Sequence, residues 1–148
     1  MARYVGRVST PRSAEEAFDY LADFTKVTEW DETAKSSVLL DGPPAGTVGA
    51  RFAVEVGFAG RTNHFEYTTT VSERPYRLVL RAESSTIVSE DTVTVVESGG
   101  QTMVSYDANL LPKGVVKLID PILGLMFKRL GDNAAGGLAR ELGGKLES

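Results

Sequence analysis

The chain has 148 residues, 42% of them hydrophobic and 24% charged, with six prolines, no cysteine and a net charge of −4. That length suits one domain able to bury roughly 70% of its unfolded surface without covalent staples. The acidic balance argues against a nucleic-acid partner, whose phosphates require a basic patch, and the missing thiols exclude disulfides, thiolate metal sites and cysteine nucleophiles.

The N-terminal stretch MARYVGRVSTPRS has no apolar run of signal-peptide length, and no segment offers about 18 consecutive apolar residues for an integral membrane span. A cytoplasmic protein is expected. Residues 3–9 read as a strand whose weak alternation does not assign an inner face. Ser13 followed three residues later by Glu16 has the capping-box spacing, which satisfies two otherwise orphaned helix-end amides. Ala17, Phe18, Leu21 and Phe24 then form the stripe of an amphipathic helix, and a second short helix over 26–32 leaves Trp30 on the connection back to the sheet.

Val38 and Leu40 mark a short strand before the turn Asp41-Gly42-Pro43-Pro44. Strands follow near 47–58, 61–73, 76–84, 86–97 and 101–111, separated by turns at Ala59-Gly60, Arg74-Pro75, Ser84-Ser85 and Gly99-Gly100. With the first strand this makes an antiparallel meander of six or seven strands. From Gly114 to Leu146 the pattern turns helical, with Val115, Leu118, Ile119, Ile122, Met126, Leu130, Ala134, Leu138 and Leu142 at three- and four-residue spacing. Pro121 should start a new helix or kink this one. Gly136-Gly137 and Gly143-Gly144 should each weaken the later turns by about 1 kcal/mol per glycine relative to alanine. The predicted fold class is α+β: one domain, 1–148, in which a curved antiparallel sheet surrounds a long C-terminal helix.

A two-residue turn at Ala59-Gly60 pairs Phe58 with Arg61, Val56 with Asn63, Val54 with Phe65 and Phe52 with Tyr67. Paired residues share a face and side chains alternate along a strand. One face therefore carries Phe52, Val54, Val56, Phe58, Phe65 and Val71 together with Asn63, Tyr67 and Thr69. A buried amide and a buried phenol each need a partner or cost free energy. Their mixture with apolar groups suits the wall of a container for a small, mostly apolar molecule better than a pure core.

Extending the register through Ser84-Ser85 pairs Ala82 with Ile87, Leu80 with Ser89 and Leu78 with Asp91. Through Gly99-Gly100 it pairs Val95 with Val104 and Val93 with Tyr106, which adds Ser89, Asp91 and Tyr106 to the inner face. A one-residue slip in any turn reverses such assignments. Asp91 is the one carboxylate placed inside. It could be a general acid or base with a raised pKa, or a strand-end carboxylate that is solvated or paired with an arginine such as Arg61. Tyr67 and Tyr106 could hold a ligand oxygen or serve as core tyrosines. Asn63 lies towards the rim. His64, the sole histidine, falls opposite Glu55 on the outer face and has no companions for a metal site, so neither a metal nor a cofactor is expected.

Several phrases of this chain resemble the START-like superfamily of polyketide cyclases, lipid-transfer domains and birch-pollen-allergen-like proteins. They are SAEEAFDYLADF (13–24), EWD (29–31), GTVGARF (46–52), ERPYRLV (73–79) and GGQT (99–102), set in the order strand, two short helices, meander, long helix. The resemblance spans nearly the whole chain and implies a helix-grip fold with an internal cavity for a hydrophobic ligand. In that reading Trp30 lies near the cavity mouth. The expected site is Trp30, Phe52, Val54, Val56, Asn63, Phe65, Tyr67, Asp91, Tyr106 and Met126, and the expected function is carriage or sequestration of a lipid, polyketide or isoprenoid. Two other classes stay open. One is a cyclase, aromatase or dehydratase using Asp91 with Tyr67 or Tyr106. The other is a protein-interaction module with a collapsed cavity.

Overall fold

The computed structural model describes residues 2–58, 60–113 and 121–147, excepting the side chains of 58 and 121–125. Eight strands form one antiparallel sheet in the order β2-β3-β4-β5-β6-β7-β1-β8. They are β1 (Ala2–Thr10), β2 (Ala34–Leu39), β3 (Arg51–Phe58), β4 (Arg61–Glu73), β5 (Arg77–Glu83), β6 (Ile87–Ser98), β7 (Gln101–Pro112) and β8 (Lys145–Glu147). Helix α1 (Ala14–Ala22), a 3-10 turn (Phe24–Lys26) and α2 (Val27–Trp30) connect β1 to β2, and α3 (Pro121–Glu141) precedes β8. The curved, unclosed sheet and its C-terminal helix are the α+β helix-grip fold. Among the described residues no helix is long and apolar enough to cross a membrane.

Ser13 caps α1 with half of the expected box: its side chain accepts from the Glu16 amide, while Glu16 Oε1 takes the Ser13 hydroxyl at 3.2 Å rather than the Ser13 amide. Phe18 and Leu21 point into the core. The C-terminal helix is shorter than the apolar period suggests. It ends in a Schellman arrangement: Gly143, at φ +65°, donates to the Arg140 carbonyl and Gly144 to that of Ala139. The glycine pair is thus a stop signal that frees 145–147 to become an eighth strand against β1, where six or seven strands and a helix to 146 were expected. Gly137 answers a different need. A Cβ there would lie 2.2 Å from the carbonyl oxygen of Trp30, so its lack of a side chain lets α3 approach α2. The expected helical positions 114–120 lie outside the described residues.

The β3–β4 register agrees with the turn argument, pairing Phe52 with Tyr67, Val54 with Phe65, Val56 with Asn63 and Phe58 with Arg61. So does β6–β7, with Val95 opposite Val104 and Val93 opposite Tyr106. Two details differ. A bulge between Thr69 and Val71 inserts one residue, so Val71 pairs with Val79 on the outer face rather than the inner one. Ser72 takes the inner position and donates to the Gly46 carbonyl at 2.6 Å. The β5–β6 pairing is also displaced by two residues, with Ala82 opposite Ser89, Leu80 opposite Asp91 and Leu78 opposite Val93. The connection there is longer than two residues, because Ser84 Oγ accepts from the amides of Thr86 and Ile87. A slip of two keeps every side chain on its face. Ser89 and Asp91 remain inside.

The core occupies one end of the inner face. Phe18 and Leu21 of α1, Leu138 of the last turn of α3 and Leu142 just after it bury Val8, Leu78, Val93, Val95 and Val104. The α3 terminus is held there by Thr10 Oγ1, which donates to the Leu142 carbonyl at 2.7 Å, and by the Arg12 guanidinium on the carbonyls of Glu141 and Leu142.

Candidate functional site

Burial along the inner face changes from one end of the strands to the other. On β7, Thr102 and Val104 are buried while Tyr106, Ala108 and Leu110 are half-buried. On β4, Thr69 and Tyr67 are buried while Phe65 and Asn63 are half-buried, and β3 passes from buried Phe52 and Val54 to half-buried Val56. The sheet is therefore sealed beneath α1 and the end of α3 and more open towards the β3–β4 and β5–β6 turns. Buried polar groups collect where the two halves meet.

Tyr67 and Ser89 share a hydrogen bond at 2.8 Å. Register explains how a phenol on β4 reaches a serine on β6. One step beyond the paired Thr68 and Arg81 stand Tyr67 and Ala82, and Ala82 is opposite Ser89. The small alanine leaves the ring room to cross β5. Beside this row, Tyr106 donates from its hydroxyl to Asp91 Oδ2 at 2.6 Å, a diagonal contact, since Tyr106 lies opposite Val93. The Trp30 ring stands edge-on to Tyr106 with centroids 5.3 Å apart, and Phe24 leans on Tyr67 at 5.1 Å.

Asp91 is 9% exposed. Burial pushes its carboxyl up to about 7; the Tyr106 hydrogen bond opposes that shift, and the charges of Asp31, Asp107 and Glu90 add to it. Burial also raises Tyr67 and Tyr106, and the Asp91 charge raises both further. The shared proton of the Tyr106–Asp91 pair therefore stays on the phenol. No ion pair to Asp91 occurs among the described residues, and Arg61, its expected partner in the strand-end reading, is exposed at the rim. The solvated or arginine-paired Asp91 is thus replaced by a buried carboxyl bonded to a phenol.

The structure brings together Trp30, Phe52, Val54, Tyr67, Asp91 and Tyr106, with Val56, Phe65 and Asn63 on the open side. Asn63 spends its amide on the Val56 carbonyl at 3.4 Å. Met126 does not join them. It is 40% exposed, and it precedes buried Ala135 by nine residues, two and a half helical turns, which sets it on the opposite side of α3. His64 pairs with Glu55 at 3.4 Å on the outer face, as its register required.

One group escaped the sequence reading. Asp31, half-buried just after α2, accepts from the Thr33 amide and hydroxyl at 2.9 and 2.7 Å, and burial raises its pKa. Its spacing to Thr33 is a readable turn signal, but its approach to Asp91 is a matter of tertiary distance. Among the described residues no group of three or more His, Asp or Glu is placed to hold a metal. A cleft of about 330 Å3 between α2 and α3, which Trp30 also lines, carries Glu29, Glu32, Asn133 and Arg140, too charged a setting for an apolar molecule.

The family model described as polyketide cyclase / dehydrase and lipid transport matches residues 1–143. The chain belongs to this family. No curated protein matches it. Among solved structures, a START superfamily protein from Mycobacterium smegmatis superposes with a TM-score of 0.79 at 15% identity, over 97% of this chain and 98% of that one. The Zhui aromatase/cyclase from Streptomyces sp. R1128 gives 0.74 at 11% identity, over 95% and 93% of the two chains. Major latex-like protein 151 from Panax ginseng gives 0.70 at 9%, over 95% and 97%. At these identities the likeness concerns the fold, which hosts different activities.

Proposed function

We propose that this polyketide cyclase / dehydrase and lipid-transport family member binds a small, mostly apolar molecule between the open half of its sheet and α3, for carriage or sequestration. The observation that carries the reading is the half-buried apolar surface of Val56, Phe65, Ala108 and Leu110, which adjoins the Asp91–Tyr106 pair on one face. Removing ligand surface from water supplies about 25 cal/mol per Å2, and the polar pair fixes orientation. Native mass spectrometry of the purified protein tests this directly: a discrete added mass, lost on denaturation, is expected. Ala108→Phe, which fills the open half beside Asp91, should abolish that mass while leaving the unfolding midpoint nearly unchanged. Undiminished ligand in that variant would move the site elsewhere.

A second reading, cyclase- or dehydratase-type acid–base catalysis, is favoured by the Asp91–Tyr106 contact at 2.6 Å and by a carboxyl value of about 7, where one group can both take and return a proton. Turnover of a polyketide-like substrate that Asp91→Asn abolishes, with binding retained, would decide for it. Binding without turnover leaves the carrier reading in place.

A further inference from the structure

Among the described residues, the polar end of this surface has acids and hydroxyls but no paired cation. Asp91 is faced by Tyr106 from β7 and interacts with Asp31 beyond α2, and neither aspartate has an ion-pair partner among the described residues. Lys35 acts on Asp31 through space, its charge opposing the rise of that carboxyl, but it makes no ion pair: its stem lies over Gly57 on the outer face and its amine donates to the Glu32 carbonyl. Arg61 shares the inner phase but stands six residues beyond Tyr67, about 20 Å along the strand. The second oxygen of Asp91, Oδ1, accepts no hydrogen bond among the described residues; the side chain is nine-tenths buried, yet Oδ1, unlike Thr69 Oγ1, is not fully enclosed and borders open space. An unpaired carboxylate in such a place is expensive unless a donor reaches it. Tyr106, which bonds it, carries the Trp30 ring, and nearby Tyr67 carries that of Phe24, aromatic groups whose faces attract positive charge.

We propose that the site selects its ligand by charge: the favoured class is an apolar molecule carrying a protonated amine, which Asp91 and the surrounding rings receive, while carboxylate and phosphate head groups are rejected from this end. This rests on the ligand-binding reading above and deepens it. The amine supplies both the missing cation and a donor to Asp91 Oδ1, so its charge is neutralised where it is buried. A carboxylate in the same position would meet Asp91 and Asp31 with like charge.

Trp30 is the only tryptophan and its ring touches Tyr106, so its fluorescence reports occupancy of this end. Titration at pH 8 with decylamine, decanol and decanoate compares one alkyl chain under three head groups. Decylamine should bind at least about tenfold more tightly than decanol, an ordinary increment for a charge-assisted hydrogen bond, with decanoate the weakest. Asp91→Asn should bring amine and alcohol within about threefold of each other, because the amide keeps the shape and removes the charge. The comparison of ligands on the unaltered chain stands even if that variant folds poorly. Equal binding of decanol and decylamine, tighter binding of decanoate, or an amine preference that survives in Asp91→Asn overturns the charge selectivity but leaves ligand binding intact. If none of the three changes the Trp30 signal and the native mass is clean, the ligand-binding reading falls and the selectivity with it.

Discussion

Asp91→Asn gives the sharpest physical test of the site, because it removes one titration and leaves the shape in place. The folded carboxyl titrates at about 7 against an ordinary value of 3.8, so between those values the native state keeps a proton that the unfolded chain has released. Stability therefore declines as pH rises across that window, and is flat above it and below it. From pH 5 to pH 8 the loss from this one group is roughly 2–3 kcal/mol at 1.36 kcal/mol per unit. An asparagine in the same place can still accept from Tyr106 but cannot titrate. Urea unfolding of both proteins at several pH values isolates the effect, since Asp31, Asp107 and Glu90 are common to the two chains. The free-energy difference between variant and parent should grow in the variant's favour by that amount from pH 5 to 8. A difference constant to within about 0.5 kcal/mol, near the extrapolation error, would refute the desolvated carboxyl.

Three further outcomes follow from individual contacts. Tyr106→Phe should cost about 1.5–3 kcal/mol at pH 8, where it removes a hydrogen bond from charged Asp91, and less at pH 5; urea midpoints at the two pH values measure it. Gly137→Ala drives a methyl group into the Trp30 carbonyl and should lower stability by about 1–3 kcal/mol, visible as a reduced thermal midpoint and an altered Trp30 emission. Thr69 Oγ1 is buried without a hydrogen-bond partner among the described residues, so Thr69→Val should be neutral or stabilise by up to about 1 kcal/mol; a loss of more than that in urea unfolding would reveal a hidden partner.

The sheet and its inner face were legible because strands alternate with period two. The Gly60 turn, at φ +74°, sets the β3–β4 pairing, and Asp91 stays inside even though the β5–β6 pairing is displaced by two residues. The bulge was not legible: nothing in Thr68-Thr69-Thr70-Val71 marks which residue is extra, and Val71 consequently turns outward. The eighth strand was hidden behind a glycine pair that reads equally as a weak helix and as its end. Met126 was misplaced because a run of three- and four-residue spacings fixes no absolute rotation of the helix. The Tyr67–Ser89 and Tyr106–Asp91 bonds lay within reach of a register argument. The approach of Asp31 did not, since it depends on how α2 lies over the sheet.

The position of β1 between β7 and β8 has a bearing on how the chain matures. Ala2 finds its partner at Leu110 and Val8 finds its outer neighbour at Leu146. β1 is therefore flanked only by β7 and β8, both made after the meander strands β2–β6, so its two edges wait unpaired while those strands form. Such distant pairings slow folding, and open edges invite contact with other chains. The alternating arginines of that strand, Arg3 and Arg7, give it a charged face for the interval. An acidic partner, Asp107 on β7, then meets Arg3 through a two-point contact when the sheet at last closes over it.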